Sequence, residues 1–262
     1  MEIPKIKLPI SSFDHELYLI IPAAGTGSRM HLPDSKQFLE IAGIPVLART
    51  LLAFSDFSGS TRTPIHAVVV SGKDDIDRVR ELCRKYECAF VEKVIAGGET
   101  RQESVRLGME ALSTLSRVPQ DLDVVFIHDG ARCMVDQETI RKCLAGGIAY
   151  EVCVAATPCK NTIKIAKENT GRYEVAGSAP LVDRTPDRSL LYEVQTPQVF
   201  KYKILREVLS RAKEEGITAT DDTALAEALG IPVHLISCSY QNIKITTPED
   251  AVIAVTMLNA DK

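Results

Sequence analysis

A segment of small residues follows the first apolar run of the chain and contains a cationic side chain. Residues 17–22 lead directly into Ala23-Ala24-Gly25-Thr26-Gly27-Ser28-Arg29-Met30. Small residues after a strand let backbone N–H groups approach a ligand closely and hold phosphate oxygens. The segment departs from the dinucleotide fingerprint G-x-G-x-x-G, because the third glycine position falls on Met30, and it lacks the Gly-Lys-Ser/Thr of a P-loop. It predicts a phosphate-binding loop of another kind.

A second cation follows within a short distance along the chain. Lys36 comes seven residues after Arg29, so the two side chains can converge on phosphates held by the glycine loop. This arrangement suits phosphoryl or nucleotidyl transfer, in which positioning and charge neutralisation supply most of the catalysis. The alternative is that both residues are solvated loop cations.

A carboxylate stands at the end of another apolar run. Asp129 follows the predicted strand 123–127, and ligands of open α/β sheets bind at the carboxyl ends of strands. A lone carboxylate there suits Mg²⁺, which binds through one or two carboxylates together with substrate phosphates. The alternative is a helix cap or a turn aspartate. The adjacent His128 is interpreted as structural.

Short apolar runs alternate with amphipathic stretches along most of the chain, which is typical of βαβ units. The predicted strands are 17–22, 67–70, 90–95, 123–127, 152–156 and 233–236. The predicted helices are 45–54, 74–86, 100–115, 136–144, 203–215 and 221–229, with a last helix opening at Thr247. We therefore expect an α/β, Rossmann-like fold with a mainly parallel sheet and helices on both faces.

The alternation breaks at about residues 157–188. Residues 162–167 and 172–176 alternate apolar and polar side chains across an Asn-Thr-Gly turn, which predicts a β-hairpin. The sequence contains no internal repeat and no flexible linker. We expect residues 1–262 to form one domain with a protruding β-arm inserted at about 157–188.

Composition excludes several classes of protein. The 262 residues are 45% hydrophobic, which excludes a disordered chain, and a net charge of -4 argues against nucleic-acid and membrane-surface partners. The seven cysteines form no C-x-x-C pair, so we expect reduced thiols and no zinc site. Neither a membrane-spanning run nor a secretory signal is recognisable, and a cytoplasmic location is the expectation.

The motifs taken together resemble one family. The segment PAAGTGSRM…KQFLEIAGIPVL is similar to the N-terminal signature of the 2-C-methyl-D-erythritol 4-phosphate cytidylyltransferases, which serve isoprenoid biosynthesis. Further resemblance lies, in family order, in GGETRQESV at 97–105, HDGAR at 128–132, TPQ at 196–198, TDD at 220–222 and NIKIT at 242–246. The resemblance runs from about residue 17 to 258.

The resemblance implies transfer of CMP from CTP to 2-C-methyl-D-erythritol 4-phosphate, with release of pyrophosphate and with Mg²⁺ or another divalent cation. It implies catalytic roles for four cations: Arg29, Lys36, Lys160 and Lys244. The nucleotide-binding positions it implies are Ala23, Ala24, Gly25, Gly27, Arg29, Lys36, Gly98, Glu99 and Ser104. The substrate-binding positions are Asp129, Arg132, Lys160, Thr196 and Lys244, with Asp129 also the metal ligand. A homodimer is implied as well, because in this family the β-arm reaches the neighbouring subunit's site.

Four positions depart from the family pattern. Ser35 and Cys133 stand where the family has proline, Gln241 where an aspartate often supplies a second metal contact, and Lys160 where arginine is usual. These departures leave the acceptor open. The alternatives are a ribitol 5-phosphate cytidylyltransferase, a sugar-1-phosphate nucleotidyltransferase that shares only the loop, and a non-catalytic nucleotide-binding module.

Overall fold

The structure, a computed structural model, describes residues 16–25, 34–168 and 180–260. The strands in these ranges are β1 (Leu17–Ala23), β2 (Glu40–Ile41), β3 (Ile44–Pro45), β4 (Ile65–Ser71), β5 (Val91–Ala96), β6 (Val124–Ile127), β7 (Val152–Pro158), β8 (Ile165–Ala166), β9 (Val182–Arg184), β10 (Tyr192–Lys201) and β11 (His234–Ser237). The helices are α1 (Val46–Thr61), α2 (Ile76–Lys85), α3 (Arg101–Leu112), α4 (Gln137–Ala149), α5 (Tyr202–Glu214), α6 (Asp222–Ala228) and α7 (Pro248–Ala260).

A seven-stranded sheet forms the centre of the fold, in the order β11-β7-β10-β6-β1-β4-β5. Strand β1 runs parallel to both β4 and β6, β4 runs parallel to β5, and β7 runs parallel to β11. Strand β10 lies antiparallel between β6 and β7. The predicted α/β fold with a mainly parallel sheet is confirmed.

Helices cover both faces of the sheet because its strands are apolar on both faces. In β1, Leu19 and Ile21 point into one core and Ile20 into the other. The first core also contains apolar residues of α1, α2 and α4, whereas the second contains those of α3, α5 and α6. This two-sided burial fixes the register of the strands, and so it fixes where their carboxyl ends lie.

Strand β10 was not anticipated from the sequence. Pro197 lies inside it, and proline argues against a central strand because it cannot donate a ladder hydrogen bond. The structure accommodates the proline at a register shift between Val194 and Gln198, where the ladder with β7 is interrupted. Strand β10 therefore continues through the sheet, although its proline argues against a strand at the level of sequence.

Part of the segment predicted to form the β-arm forms a separate two-stranded sheet of β8 and β9. Ile165 pairs with Arg184, Ala166 pairs with Val182, and the N–H of Lys167 donates to the carbonyl of Leu181 at 2.8 Å. The first predicted strand of the hairpin therefore pairs with residues later in the chain than expected. The second predicted strand, 172–176, lies outside the described residues.

Two further observations bear on sequence expectations. All seven cysteines are free thiols. Within the ranges that the structure describes, no helix is long and apolar enough to cross a membrane.

The parallel strands β1, β4, β5 and β6 end at one edge of the sheet, and the loops that leave this edge carry most of the candidate site residues.

Candidate active site

A cleft of about 350 Å³ opens at the carboxyl edge of the parallel strands. The described residues that line it come from the loops after β1, β5 and β6, from the start of α3 and from the segment before α7. They are Pro22, Ala24, Gly25, Lys36, Gln37, Gly98, Glu99, Thr100, Arg101, Ser104, Asp129, Ala131, Lys244 and Thr246. Most of the sequence-predicted site residues that the structure describes therefore converge on one cavity.

The predicted nucleotide-binding residues form one wall of the cleft. The N–H of Gly98 donates to Ser104 Oγ at 3.2 Å, and the Ser104 hydroxyl donates to the Thr100 carbonyl at 2.9 Å. Thr100 Oγ1 in turn accepts the N–H of Glu103 at 3.0 Å and caps α3. The positive end of the α3 dipole therefore faces the cleft, where it favours an anion.

Close packing brings the loop after β1 against this wall. A Cβ added to Gly97 would lie 2.7 Å from Ala24 Cβ, so only glycine permits the approach. Ala24 and Gly25 line the cleft, and Ala23 is buried just behind them. Gly27 and Arg29 lie outside the described residues.

Lys36 lies in a short 3-10 turn and is one of the most enclosed cations of the cleft. Its side chain is 8% exposed, and its Nζ donates to the carbonyl of Ile245 at 3.0 Å. That hydrogen bond joins the loop after β1 to the segment before α7. The contact holds the ammonium group at the cleft rather than in bulk solvent, which favours a binding or catalytic cation over the solvated-loop alternative.

Asp129 lies at the floor of the cleft among three cationic side chains. Its Oδ2 lies 2.7 Å from Lys244 Nζ and 3.9 Å from Arg132 Nε, and its Oδ1 lies 3.4 Å from Arg101 Nε. Burial alone would raise the pKa of Asp129, but Arg101 and Lys244 outweigh it and hold the pKa well below the ordinary value. The carboxylate is therefore ionised at neutral pH.

Arg101 and Asp222 form an ion pair that sequence reasoning missed. Arg101 NH1 donates to Asp222 Oδ2 at 2.7 Å. Burial alone would lower the pKa of Arg101, yet Asp222 and Asp129 raise it above the ordinary value. Arg101 lies within a motif quoted for the family resemblance, but no signal in the sequence joins it to a residue 121 positions away.

A chain of buried hydrogen bonds supports Asp129 from below. The backbone N–H of Asp129 donates to Thr196 Oγ1 at 3.1 Å, and the Thr196 hydroxyl lies 3.1 Å from His128 Nδ1. His128 Nε2 lies 3.1 Å from the carbonyl of Arg132, which can only accept. His128 therefore carries its proton on Nε2 and accepts the Thr196 hydroxyl at Nδ1. Burial lowers the pKa of His128 to about 4, so it is neutral at pH 7.

Two predicted substrate-binding residues lie behind the described wall of the cleft. Thr196 is buried in the hydrogen-bond chain, and Arg132 NH1 donates to the carbonyl of Asn242 at 2.8 Å. Asn242 Nδ2 donates to the carbonyl of Thr196 at 2.7 Å. Neither Thr196 nor Arg132 is among the described residues that line the cleft. Each contacts Asp129, which does line it.

Lys160 lies apart from the cleft of its own chain. Its Nζ lies 3.5 Å from the centroid of the Tyr240 ring, and the Tyr240 hydroxyl donates to the carbonyl of Pro158 at 2.7 Å. This cation–π contact is at the base of the β-arm.

The residues present fit a divalent cation that arrives with phosphates. Among the described residues, no group of three or more histidine, cysteine, aspartate or glutamate side chains is arranged to hold a metal ion. Asp129 supplies one ionised carboxylate at the floor of the cleft. One carboxylate together with substrate phosphate oxygens is a usual ligand set for Mg²⁺. Asp129 is therefore suited to a substrate-borne cation rather than to a resident metal centre.

The charge of the described cleft suits an anion. Three cations, Lys36, Arg101 and Lys244, line it together with two carboxylates, Glu99 and Asp129, and the capped start of α3 faces it. Cations and oriented N–H groups stabilise the negative charge that develops during phosphoryl or nucleotidyl transfer. The arrangement therefore supports chemistry at a nucleoside triphosphate.

Comparison with known proteins gives a consistent result over nearly the whole chain. The model of the family IspD, 2-C-methyl-D-erythritol 4-phosphate cytidylyltransferase, matches residues 17–260. An enzyme of that name from Halalkalibacterium halodurans is 38% identical over 243 residues, which are 93% of this chain and 97% of the relative. Another from Desulforamulus reducens is 40% identical over 240 residues, which are 91% of this chain and 94% of the relative.

Solved structures agree with the sequence comparison. The crystal structure of a 4-diphosphocytidyl-2C-methyl-D-erythritol synthase from Anaerococcus prevotii superposes with a TM-score of 0.75 at 29% identity, covering 94% of this chain and 99% of that chain. The corresponding cytidylyltransferase from Thermus thermophilus gives a TM-score of 0.68 at 27% identity, with coverages of 93% and 99%.

Proposed function

The chain belongs to the 2-C-methyl-D-erythritol 4-phosphate cytidylyltransferase family, and from that premise we propose how its cleft performs the family reaction. The protein is a nucleotidyltransferase of isoprenoid biosynthesis that transfers the cytidylyl group of CTP to 2-C-methyl-D-erythritol 4-phosphate. The observation that carries the residue assignment is the ionised Asp129, which lies among Lys244, Arg101 and Arg132 at the floor of a cleft of about 350 Å³.

A phosphate oxygen of methylerythritol phosphate attacks the α-phosphorus of CTP. One new P–O bond forms, the bond between the α-phosphorus and the bridging oxygen breaks, and pyrophosphate leaves with that oxygen. Both reactants are anions and negative charge accumulates around the phosphorus, so stabilising cations are the main requirement. We assign this role to Lys36 and Lys244, together with Arg29 of the glycine loop.

The cytidine is assigned to the wall formed by the loop after β5. Gly98, Glu99 and Ser104 line the cleft there, and the hydrogen bond from Gly98 to Ser104 keeps the loop against α3. The triphosphate is assigned to Ala23, Ala24, Gly25 and Gly27, whose small side chains leave the backbone N–H groups accessible. The start of α3 adds its dipole to the same site.

The metal role is assigned to Asp129. Bound there, Mg²⁺ would neutralise part of the phosphate charge and orient the triphosphate. Lys244, whose Nζ lies 2.7 Å from Asp129 Oδ2, keeps the carboxylate ionised and oriented. Thr196 and Arg132 act on the substrate through this carboxylate in the proposed mechanism.

The acceptor phosphate is assigned to Lys244 and, in a homodimer, to Lys160 of a neighbouring chain. Two observations support an exchange of arms between two subunits: strand β9 is exposed, and Lys160 is not among the described residues that line the cleft. We further propose that the chain is one nucleotidyltransferase domain with an arm at about residues 157–188, and that it acts in the cytoplasm, where its cysteines stay reduced.

The test is release of pyrophosphate from CTP and Mg²⁺, with methylerythritol 4-phosphate and ribitol 5-phosphate offered in separate reactions and Lys36→Ala as the blank. Release with methylerythritol 4-phosphate alone is expected. Release with ribitol 5-phosphate alone would retain the chemistry and overturn the acceptor. Absence of pyrophosphate release with either acceptor would favour a non-catalytic nucleotide-binding module.

A further inference from the structure

One guanidinium group lies between two carboxylates beside the cleft, and its two contacts are unequal. Arg101 lies 2.7 Å from Asp222 Oδ2 but 3.4 Å from Asp129 Oδ1. The shorter contact is a strong charge-assisted hydrogen bond, whereas the longer one is near the limit of a hydrogen bond. The guanidinium is therefore drawn away from Asp129 and toward Asp222.

Asp222 is not needed to cap α6. The preceding residue does so, because Asp221 Oδ1 accepts the N–H of Ala224 at 2.9 Å and the Thr223 hydroxyl at 2.7 Å. The Asp222 side chain is 1% exposed, and a buried carboxylate is costly unless it is paired. Within the described part of the chain, its carboxylate forms an ion pair with Arg101.

The backbone fixes the position of this carboxylate. The N–H of Asp222 donates to Gln198 Oε1 at 2.9 Å, and the Gln198 side chain is itself buried in β10. The start of α6 is thus attached to the central sheet. The partner of Arg101 is therefore positioned by the central sheet rather than by the loops of the cleft.

Removal of the Asp222 charge would leave Asp129 as the nearest carboxylate partner of Arg101. Arginine and carboxylate readily form bidentate pairs, and such a pair would occupy the Asp129 oxygen that faces Arg101. We propose that Asp222 is a positioning residue that holds the Arg101 guanidinium off Asp129, so that Asp129 keeps an oxygen available for a divalent cation. This proposal rests on the metal role assigned to Asp129 above.

The experiment compares Asp222→Asn with Asp221→Asn. Both variants remove one negative charge from the start of α6, and asparagine at 221 still caps the helix. Mn²⁺ binding in the presence of CTP is measured by electron paramagnetic resonance. Asp222→Asn is expected to weaken Mn²⁺ binding by about tenfold, the effect of one charge-assisted hydrogen bond. Asp221→Asn is expected to bind Mn²⁺ as the wild type does.

A double-mutant cycle separates positioning from fold stability. In an Arg101→Gln background no guanidinium is available to pair with Asp129, so adding Asp222→Asn should not weaken Mn²⁺ binding further. A purely structural Asp222 would lower the melting temperature in both backgrounds and leave Mn²⁺ binding unchanged. If Asp222→Asn does not fold, Arg101→Gln alone decides, since the proposal requires it to bind Mn²⁺ at least as tightly as the wild type.

Pyrophosphate release distinguishes a failure of the proposed function from a failure of the positioning role of Asp222. Wild-type protein that releases no pyrophosphate from CTP and either acceptor would contradict the proposed function. Active wild-type protein whose Mn²⁺ affinity is unchanged by Asp222→Asn, or weakened equally by Asp221→Asn, would overturn only the positioning role. Half-saturation of activity by Mg²⁺ should shift in parallel with Mn²⁺ affinity, while kcat at saturating Mg²⁺ changes much less.

Discussion

The two ends of the parallel strands both carry clustered charges, yet only one end has the properties of a phosphate site. At the amino end, His66 Nδ1 lies 2.5 Å and Nε2 3.2 Å from carboxylate oxygens of Glu92 and Glu16. Arg117 Nε lies 2.7 Å from the same Glu16 oxygen. Glu16, Glu92, His66 and Arg117 are therefore paired with one another.

At the carboxyl end, cations outnumber carboxylates among the described residues that line the cleft. The cations are Lys36, Arg101 and Lys244, and the carboxylates are Glu99 and Asp129. The cleft and the start of α3 lie at this end as well. The two ends therefore differ in two properties. At the carboxyl end, the cations outnumber the carboxylates that could pair with them, and a cavity lies between these side chains, so the cluster can bind an anion.

The largest expected effect comes from removing a carboxyl-end cation. Lys36→Ala should lower kcat/KM for CTP by about 10²–10³-fold, because the developing phosphate charge loses a preorganised partner. The steady-state rate of pyrophosphate release measures this. Lys142→Ala is the control, since Lys142 lies on the surface of α4 near Glu138 at 3.8 Å. Activity of Lys36→Ala within a few-fold of wild type would remove Lys36 from the mechanism.

The buried histidine under the cleft should make stability depend on pH. Burial lowers the pKa of His128 from 6.5 to about 4 in the folded chain. Between these values the unfolded chain binds more protons, so the free energy of unfolding should fall as pH falls from 6.5 to 4, by up to about 3 kcal/mol. Urea unfolding at pH 7 and at pH 4.5 measures the change.

A matched pair of variants tests whether the pH dependence of the unfolding free energy comes from His128. His128→Gln retains a donor and an acceptor but does not titrate, so most of the acid destabilisation should disappear. His234→Gln should keep the wild-type slope, because His234 is exposed and stacks on Tyr150. Equal slopes in wild type and His128→Gln would contradict a neutral, buried His128.

Substitution of Thr196, at the same end of the sheet, is expected to have a smaller effect on the free energy of unfolding. Thr196→Val leaves the N–H of Asp129 without its acceptor and His128 Nδ1 without its donor. The expected loss is about 1–3 kcal/mol in the free energy of unfolding, measured by urea denaturation. Thr196→Ser keeps the hydroxyl and is expected to retain most of the stability. Equal stability of the valine and serine variants would show that the hydrogen-bond chain contributes nothing.

The smallest effect is expected at the amino end. Arg117→Ala removes a cation whose side chain is 63% exposed, so the loss should be at most about 1 kcal/mol of unfolding free energy. Pyrophosphate release should be unchanged. A loss of activity comparable to that of Lys36→Ala would contradict the functional difference between the two ends of the strands.

The sequence predicted those parts of the site that follow from local pattern. The apolar runs that became β1 and β6 predicted strands, and their carboxyl ends located Ala24 and Asp129 on one edge of the sheet. Lys244 entered through the family resemblance, because its approach to Asp129 depends on how the segment before α7 folds back.

Other parts depended on packing that no local pattern encodes. Pro197 concealed β10, since the register shift that accommodates it exists only in the assembled sheet. The pair of Arg101 and Asp222 joins the starts of two helices that the sheet brings together. The role of Thr196 beneath Asp129 required the same long-range geometry.

Hydrogen–deuterium exchange in the presence and absence of CTP and Mg²⁺ locates the nucleotide on the protein without a mutation. We expect CTP to slow exchange in the loop after β5, around Asp129 and in the segment containing Lys244, while exchange at the strand beginnings near Glu16 and Glu92 stays unchanged. Protection confined to the amino end, with none at the carboxyl end, would contradict the placement of the active site.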